Sequence, residues 1–170
     1  GLASIIHPWE SGLDNSPLWD SPLDKVIIQK NLNYKRRDLE VSKSSNRPQK
    51  KDYDCYITLL NQFKKEGYDA KTLAKLSMFN VIDIGFNSIL IKATKDLIDV
   101  SKKFDLNFSD LQKKISLSEE NLIKFYRENE KLFYSYDYKN HNLIKIDTIS
   151  NYFILFADLK NNKINSNIIE

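Results

Sequence analysis

The sequence predicts an all-α fold, and three observations carry that prediction. Two long stretches, about residues 52–66 and 83–104, repeat apolar residues at three- and four-residue steps. No series of alternating segments, as a sheet requires, runs through the chain. Turn-forming residues collect outside the periodic stretches. Pro8, Pro17 and Pro22, three of the four prolines, fall in the first 22 residues with Gly1, Gly12 and both tryptophans. Residues 1–22 therefore read as a loop, and a loop of that length inside a compact domain is usually functional.

The elements follow in chain order. Ser21-Pro22 opens a short amphipathic helix to about Asn31, with Leu23, Val26 and Ile27 on one face. Residues 34–51 are polar, carry Arg36, Arg37, Arg47 and Pro48, and read as a second long loop. From Asp52 the pattern turns helical: Tyr53, Tyr56, Ile57, Leu60 and Phe63 share a face, and the run stops at Gly67. A short helix follows at about 69–76. The clearest helix spans about 83–104, where Ile84, Phe86, Ile89, Leu90, Ala93, Leu97, Val100 and Phe104 form one stripe. Another helix is expected from about 109 to 132, with a break near Ser116–Ser118, where Ser118 and Glu119-Glu120 suit a capped restart. Residues 133–146, rich in Tyr and Asn, suggest a loop or small hairpin. A last apolar helix is expected at about 148–158, and residues 160–170 read as a frayed tail. No repeat at a fixed period is present. Pattern alone reaches a generic α-helical fold and no further.

Composition narrows the function classes. The 170 residues suffice for one domain with a real core, and 41% hydrophobic with 29% charged residues is a globular composition. Apolar runs are far short of a membrane span. A net charge of +3, from 26 basic and 23 acidic residues, is too balanced to argue for nucleic acid or an anionic membrane. No Cys/His cluster or Gly-rich phosphate loop is seen, and His141 has no ligand partner at useful spacing, so neither metal nor cofactor is expected. The single cysteine, Cys55, allows no internal disulfide and reads as a buried thiol. That fits a reducing compartment, and a cytoplasmic location is the expectation. Gly1-Leu2-Ala3-Ser4 has neither a signal-peptide pattern nor a Met, so Gly1 is not read as the natural start.

Chemistry concentrates in residues 7–20. Trp9 and Trp19 offer flat apolar platforms of the kind sugars use, and Glu10, Asp14 and Asp20 offer carboxylates. Asn15 and Ser16 add neutral hydrogen-bonding groups, and Gly12 permits a tight backbone turn. Glycoside hydrolysis needs one protonated carboxylic acid for the leaving oxygen and a second carboxylate as base or nucleophile. Asp14 between aromatic walls suits the acid role. The residues alone leave a plainer alternative open, in which the tryptophans are hydrophobic anchors and the acids cap helices.

The run His7-Pro8-Trp9-Glu10-Ser11-Gly12-Leu13-Asp14-Asn15-Ser16-Pro17-Leu18-Trp19-Asp20 resembles the segment that marks glycoside hydrolase family 63 and its bacterial relatives, the mannosylglycerate and glucosylglycerate hydrolases. Arg36-Arg37-Asp38, Arg47-Pro48, Asp52-Tyr53-Asp54 and Asp83-Ile84-Gly85-Phe86-Asn87-Ser88-Ile89-Leu90 look like further landmarks of that group, in order. The likeness covers about residues 1–100; residues 101–170 match only in helical character. The resemblance implies an inverting α-glycosidase built as an (α/α)6 barrel, with Asp14 as general acid. It also implies a substrate site that includes Trp9, Glu10, Gly12, Asn15, Trp19, Arg47 and Tyr53. Trp9 and Glu10 would wall the pocket. Arg47 and Tyr53 fall where the glycerate-specific relatives hold substrate, and a guanidinium there would grip a carboxylate bidentately; a solvated loop charge is the alternative for Arg47. Asn87 is expected to cap or bond a neighbouring loop, and His7 to be structural.

The family's base, a glutamate after aromatic-rich segments, has no counterpart. Glu119, Glu120, Glu128 and Glu130 sit in a Lys-rich context, and Glu170 is the last residue. Twelve helices of about 12 residues, joined by about 5 each, need roughly 200 residues. About six are expected here. The implied picture is about half of one barrel domain, holding the acid without the base, inactive alone and exposing apolar helix faces. Its expected partners are a carbohydrate, an α-glycoside with or without a glycerate aglycone, and the rest of the barrel, with no nucleic acid and no membrane. The alternatives are an α-glucosidase acting on oligosaccharides and a degenerate, non-catalytic carbohydrate-binding relative.

Overall fold

The computed structural model describes residues 1–41 and 47–159. Two compact units are present. One, the loop-bearing unit, comprises Ser4–Val81 with Asp137–His141; the other, the long-helix unit, comprises Gly1–Ala3, Ile82–Tyr136 and the chain from Asn142 onward. The frayed tail expected from residue 160 lies outside the described residues.

In the loop-bearing unit the first loop contains two 3-10 turns, Pro8–Ser11 and Pro17–Trp19, followed by a single helical turn, α1 (Asp20–Leu23). The helix expected as far as Asn31 is not formed beyond Leu23. Leu23 and Val26 are buried as expected, but Ile27 is exposed. The amide of Gln29 donates to Thr58 Oγ1 at 3.1 Å, so the backbone is tied to the next long helix instead of continuing its own. That helix, α2, spans Lys50–Lys65. Its start is capped by Asp52 Oδ2, which accepts from the Gln49 amide at 2.8 Å. Its end is set by Gly67 at φ 60°, in the left-handed region that stops helices, and the Tyr68 amide reaches back to Phe63 O at 2.9 Å. Asp69 caps α3 (Ala70–Leu76) by accepting from the Thr72 amide. Val81, which opens β1 (Val81–Ile82), forms an antiparallel bridge with Ile5. Ile5, Leu18, Trp19, Leu23, Cys55, Tyr56, Leu59 and Phe79 are among the residues of the buried interior.

The long-helix unit is built on α4 (Ile84–Lys102) and α5 (Ser109–Ile123), with a 3-10 helix at Ile149–Leu155 packed on α4. Asp83 caps α4: one carboxylate oxygen accepts from the Phe86 amide, the other from the Ser135 hydroxyl. Gly85 is required by the packing, since a Cβ there would meet Ser150 Oγ and Phe153 Cδ2 at 3.0 Å. Asn87 has the structural role expected of it: its side-chain amide exchanges two hydrogen bonds with the backbone of Ala3, each 2.9 Å.

Four expectations for this unit are corrected. The α4 stripe is split. Ile84, Ile91 and Ile98 enter the core with Ile115, Leu122, Phe133 and Ile154, whereas Ile89, Leu90, Leu97, Val100 and Phe104 are exposed. A helix apolar on most of its faces has no single stripe for periodicity to select. The helix expected over 109–132 runs unbroken through Ser118, whose hydroxyl bonds Lys114 O within the helix, and ends at Ile123. The chain is also not all-α. Tyr126–Arg127 (β2) pairs antiparallel with Leu132–Phe133 (β3), in the register Tyr126 to Phe133. Ser135–Asp137 (β4) and Asn142–Ile144 (β5) are neighbours in a second sheet, which bears out the hairpin reading of 133–146. Lys131 and His141 both turn the chain at φ 54°. Paired runs of two and three residues are too short to show alternation in sequence. The last apolar segment is a 3-10 helix, shorter than expected.

Candidate active site

The Asp14 segment is held by contacts to its backbone. Gly12 takes φ 69° at the end of the first 3-10 turn. Leu13 O accepts from the Trp19 indole at 2.7 Å, and Asp14 O accepts from the Tyr56 hydroxyl at 2.7 Å. The turn that carries Asp14 is thus pinned by one residue from its own segment and one from α2. The Asp14 side chain remains a quarter exposed.

The expected aromatic walls divide. Trp9 is 41% exposed and meets Tyr53 and Tyr56 edge-on, at 6.2 and 5.7 Å between ring centres. Trp19 is 1% exposed and packs edge-on against Phe79. Trp19 therefore has no face to offer a ligand, and its place among the substrate contacts is corrected: it is a core anchor that fixes the Asp14 turn. Glu10 also differs from the pocket-wall expectation. Its Oε2 accepts from the Ile6 and His7 amides at 2.8 and 3.2 Å, so the carboxylate closes a capping box. Asn15 is exposed.

His7 is buried between the first loop and α2. Nδ1 accepts from the Trp9 amide and Nε2 bonds Tyr56 O, each at 3.1 Å, which fits the neutral ring protonated on Nε2. Burial pushes the imidazole down from 6.5 to about 4, against the opposing pull of the Tyr56 carbonyl. Between those values the unfolded chain binds a proton that the folded one refuses, so stability falls as pH drops through that window. The loss is roughly 3 kcal/mol. Urea midpoints measured across the window should show this slope in the wild type and a flatter one in His7→Gln.

A charged cluster borders Asp14. Arg36 grips Asp38 bidentately, Nε to Oδ1 at 3.1 Å and Nη2 to Oδ2 at 2.6 Å, and lies 3.8 Å over the Tyr53 ring. Arg47 Nε reaches Asp38 Oδ2 at 3.2 Å, and its Nη2 stands 3.7 Å from Asp14 Oδ2. Hydrogen bonds from Arg36, Arg47 and Tyr53 hold the Asp38 carboxyl well below the usual carboxylate range, against the opposing effect of desolvation. Tyr34 stacks on Tyr53 and donates to Asp54 Oδ1 at 2.7 Å. Burial, then Asp54, push the Tyr34 hydroxyl up to about 12. Cys55 is buried and its thiol is pushed up to about 11, mainly by desolvation, which leaves it an inert core group as expected.

Tyr34 and Arg36 also line a cleft of about 500 Å³ with Ile28, Leu32, Lys50 and Asp54; Asp14 is not in its wall. A larger hollow, about 840 Å³, lies in the long-helix unit among Lys95, Ile98, Lys102, Ile115 and Glu119. It has no aromatic wall, and size alone does not make it the site. Among the described residues no cluster of His, Cys, Asp and Glu suits a metal ion, and no helix is long and apolar enough to cross a membrane.

Of the sequence-derived site residues, the structure brings Asp14, Trp9, Arg47 and Tyr53 together. The roles of Asp38, Arg36, Tyr34 and Tyr56 were missed. The alternation of Arg36, Asp38 and Arg47 in a polar loop was the available signal, but it names no partner.

This segment thus sets a carboxylate on a pinned turn beside an exposed tryptophan and a guanidinium anchored by Asp38. The chain belongs to the family described as the mannosylglycerate hydrolase MGH1-like glycoside hydrolase domain, whose model matches residues 1–170. It is 36% identical over 157 residues to a mannosylglycerate hydrolase of Thermus thermophilus, covering 92% of this chain and 38% of that protein. A glucosylglycerate hydrolase of Mycolicibacterium hassiacum is 34% identical over 113 residues, covering 66% of this chain and 25% of that protein. The crystal structure of a family 63 mannosylglycerate hydrolase from Thermus thermophilus, in complex with Tris and D-glycerate, superposes with a TM-score of 0.94 at 33% identity. It covers 99% of this chain and 41% of that one. The chain thus spans about two fifths of the length of these Thermus relatives.

Proposed function

We propose that this chain is the acid-bearing part of an inverting hydrolase of small α-glycosides, with glucosylglycerate or mannosylglycerate as substrate. The observation that carries the reading is Asp14, fixed by its backbone yet open at its side chain, beside the Arg47 guanidinium. Asp14 donates its proton to the glycosidic oxygen as the bond to the anomeric carbon breaks. A carboxylate on the opposite sugar face, about 6.5–9.5 Å away, takes a proton from the attacking water, so the product inverts. Trp9 offers its exposed face to the sugar, Tyr53 shapes the pocket, and Arg47 holds the glycerate carboxylate through its planar fork.

The base lies outside these 170 residues, in the remaining part of an (α/α)6 barrel. In the loop-bearing unit four carboxylates are already engaged: Glu10 and Asp52 cap backbone amides, Asp38 is clamped by two arginines, and Asp54 binds Lys50 and Tyr34. The test is an assay on glucosylglycerate and mannosylglycerate. The 170-residue chain should show no turnover. A longer protein carrying it should hydrolyse one of them and release the inverted anomer first, read by proton NMR. Clear turnover by the short chain, or retention, would refute the reading.

A further inference from the structure

Arg47 has two carboxylate neighbours, and its side chain is about a third exposed. The contact to Asp38 is an anchor, because Asp38 is itself gripped at both carboxylate oxygens by one edge of Arg36, and Arg36 lies over the Tyr53 ring. The contact to Asp14, at 3.7 Å, is longer than a hydrogen bond and uses only Nη2. Arg47 is therefore held by Tyr53 and, through Nε, by Asp38, while its Nη2 stands toward Asp14 without a hydrogen bond to it. Along this line of contacts the charges alternate: Arg36, Asp38, Arg47, Asp14. They sum to zero while Asp14 is ionised.

A carboxylate that takes the Nη edge of Arg47 adds a third anion to two guanidiniums. One negative charge is then uncompensated beside a partly desolvated group, and the nearest remedy is a proton on Asp14. We infer that Arg47 couples anion binding to protonation: a bound carboxylate displaces Asp14 as ion-pair partner, and Asp14 takes up one proton from solvent. The inference rests on the proposed roles of Asp14 as acid and Arg47 as carboxylate holder. The substrate's own carboxylate then loads the acid with the proton that cleavage consumes. A neutral glycoside leaves the Arg47–Asp14 pair in place.

The other ionisable groups around Asp14 do not provide this coupling. From α2, the Tyr56 hydroxyl holds the Asp14 carbonyl, and Tyr56 feels the charges of both Asp14 and Asp52. From the first loop, Glu10 is closed into its capping box, and Asp20 is raised mainly by burial, then by Asp52 and Asp24. Among the described residues, Arg47 is the cation paired with Asp14.

The experiment is calorimetric titration of D-glycerate into a catalytically complete protein carrying these residues, in buffers of different ionisation enthalpy. Net proton uptake on binding is expected near neutral pH, with affinity rising as pH falls. Asp14→Asn should bind D-glycerate roughly tenfold tighter, with the uptake lost, because the competing charge is gone. Binding without uptake in the wild type, or uptake that persists in Asp14→Asn, would overturn the coupling while leaving Arg47 as the carboxylate holder. No glycerate binding by either protein would overturn the role of Arg47 itself, and the coupling with it.

Discussion

Replacing Asp14 with Asn in the catalytically complete protein is expected to lower kcat on a glycerate glycoside by about 10²–10⁴-fold, the usual contribution of a positioned acid. KM should stay the same or fall, since the amide no longer competes for Arg47. The fold should survive. The turn is held through the carbonyls of Leu13 and Asp14 and through Gly12 at positive φ, none of which the substitution touches. The carboxylate makes one long ion pair to a partly exposed arginine, and such pairs contribute little to stability. Steady-state kinetics beside a thermal melt separate the two effects: a large loss of rate with an unchanged midpoint is the expected pattern.

The second large effect is on stability. Trp19→Ala should destabilise the protein by about 3–5 kcal/mol, the range for emptying a buried aromatic site. It removes a side chain buried against Phe79 and also leaves the Leu13 carbonyl without its indole partner. Trp9→Ala should be much milder in a denaturant titration, because Trp9 is substantially exposed, but should weaken sugar binding. The two tryptophans, ten residues apart, would then separate cleanly, one by stability and the other by affinity. Similar stability losses for both would mean that Trp9 also serves as a core anchor.

That contrast shows what the sequence could carry. Trp9 and Trp19 look alike in a proline-rich loop, and which one faces inward depends on Phe79, sixty residues on, which no local pattern reveals. The helices bounded by strong signals were legible in extent: Gly67 closes α2 as expected, and the starts expected near residues 69 and 83 coincide with the Asp69 and Asp83 caps of α3 and α4. The failures came where a distant partner decides the local structure. Thr58 captures the Gln29 amide and ends the helical turn after Leu23. Pairings as short as Tyr126 with Phe133 yield strands that composition cannot distinguish from loop. Within the site, Asp14, Trp9, Arg47 and Tyr53 were named from a motif. Asp38 escaped because its importance lies in what it clamps, and that is a property of geometry.

In the proposed mechanism Asp14 supplies the proton that lets the aglycone leave. The measurement that tests it most directly compares Asp14→Asn with wild type on two substrates of one sugar: a glycerate glycoside, whose oxygen must be protonated, and the α-glycosyl fluoride, which needs little acid help. Asp14→Asn should lose nearly all activity on the glycerate glycoside and keep most of it on the fluoride. Equal losses on both substrates would contradict it, and would assign Asp14 to binding or to the fold instead of to the proton.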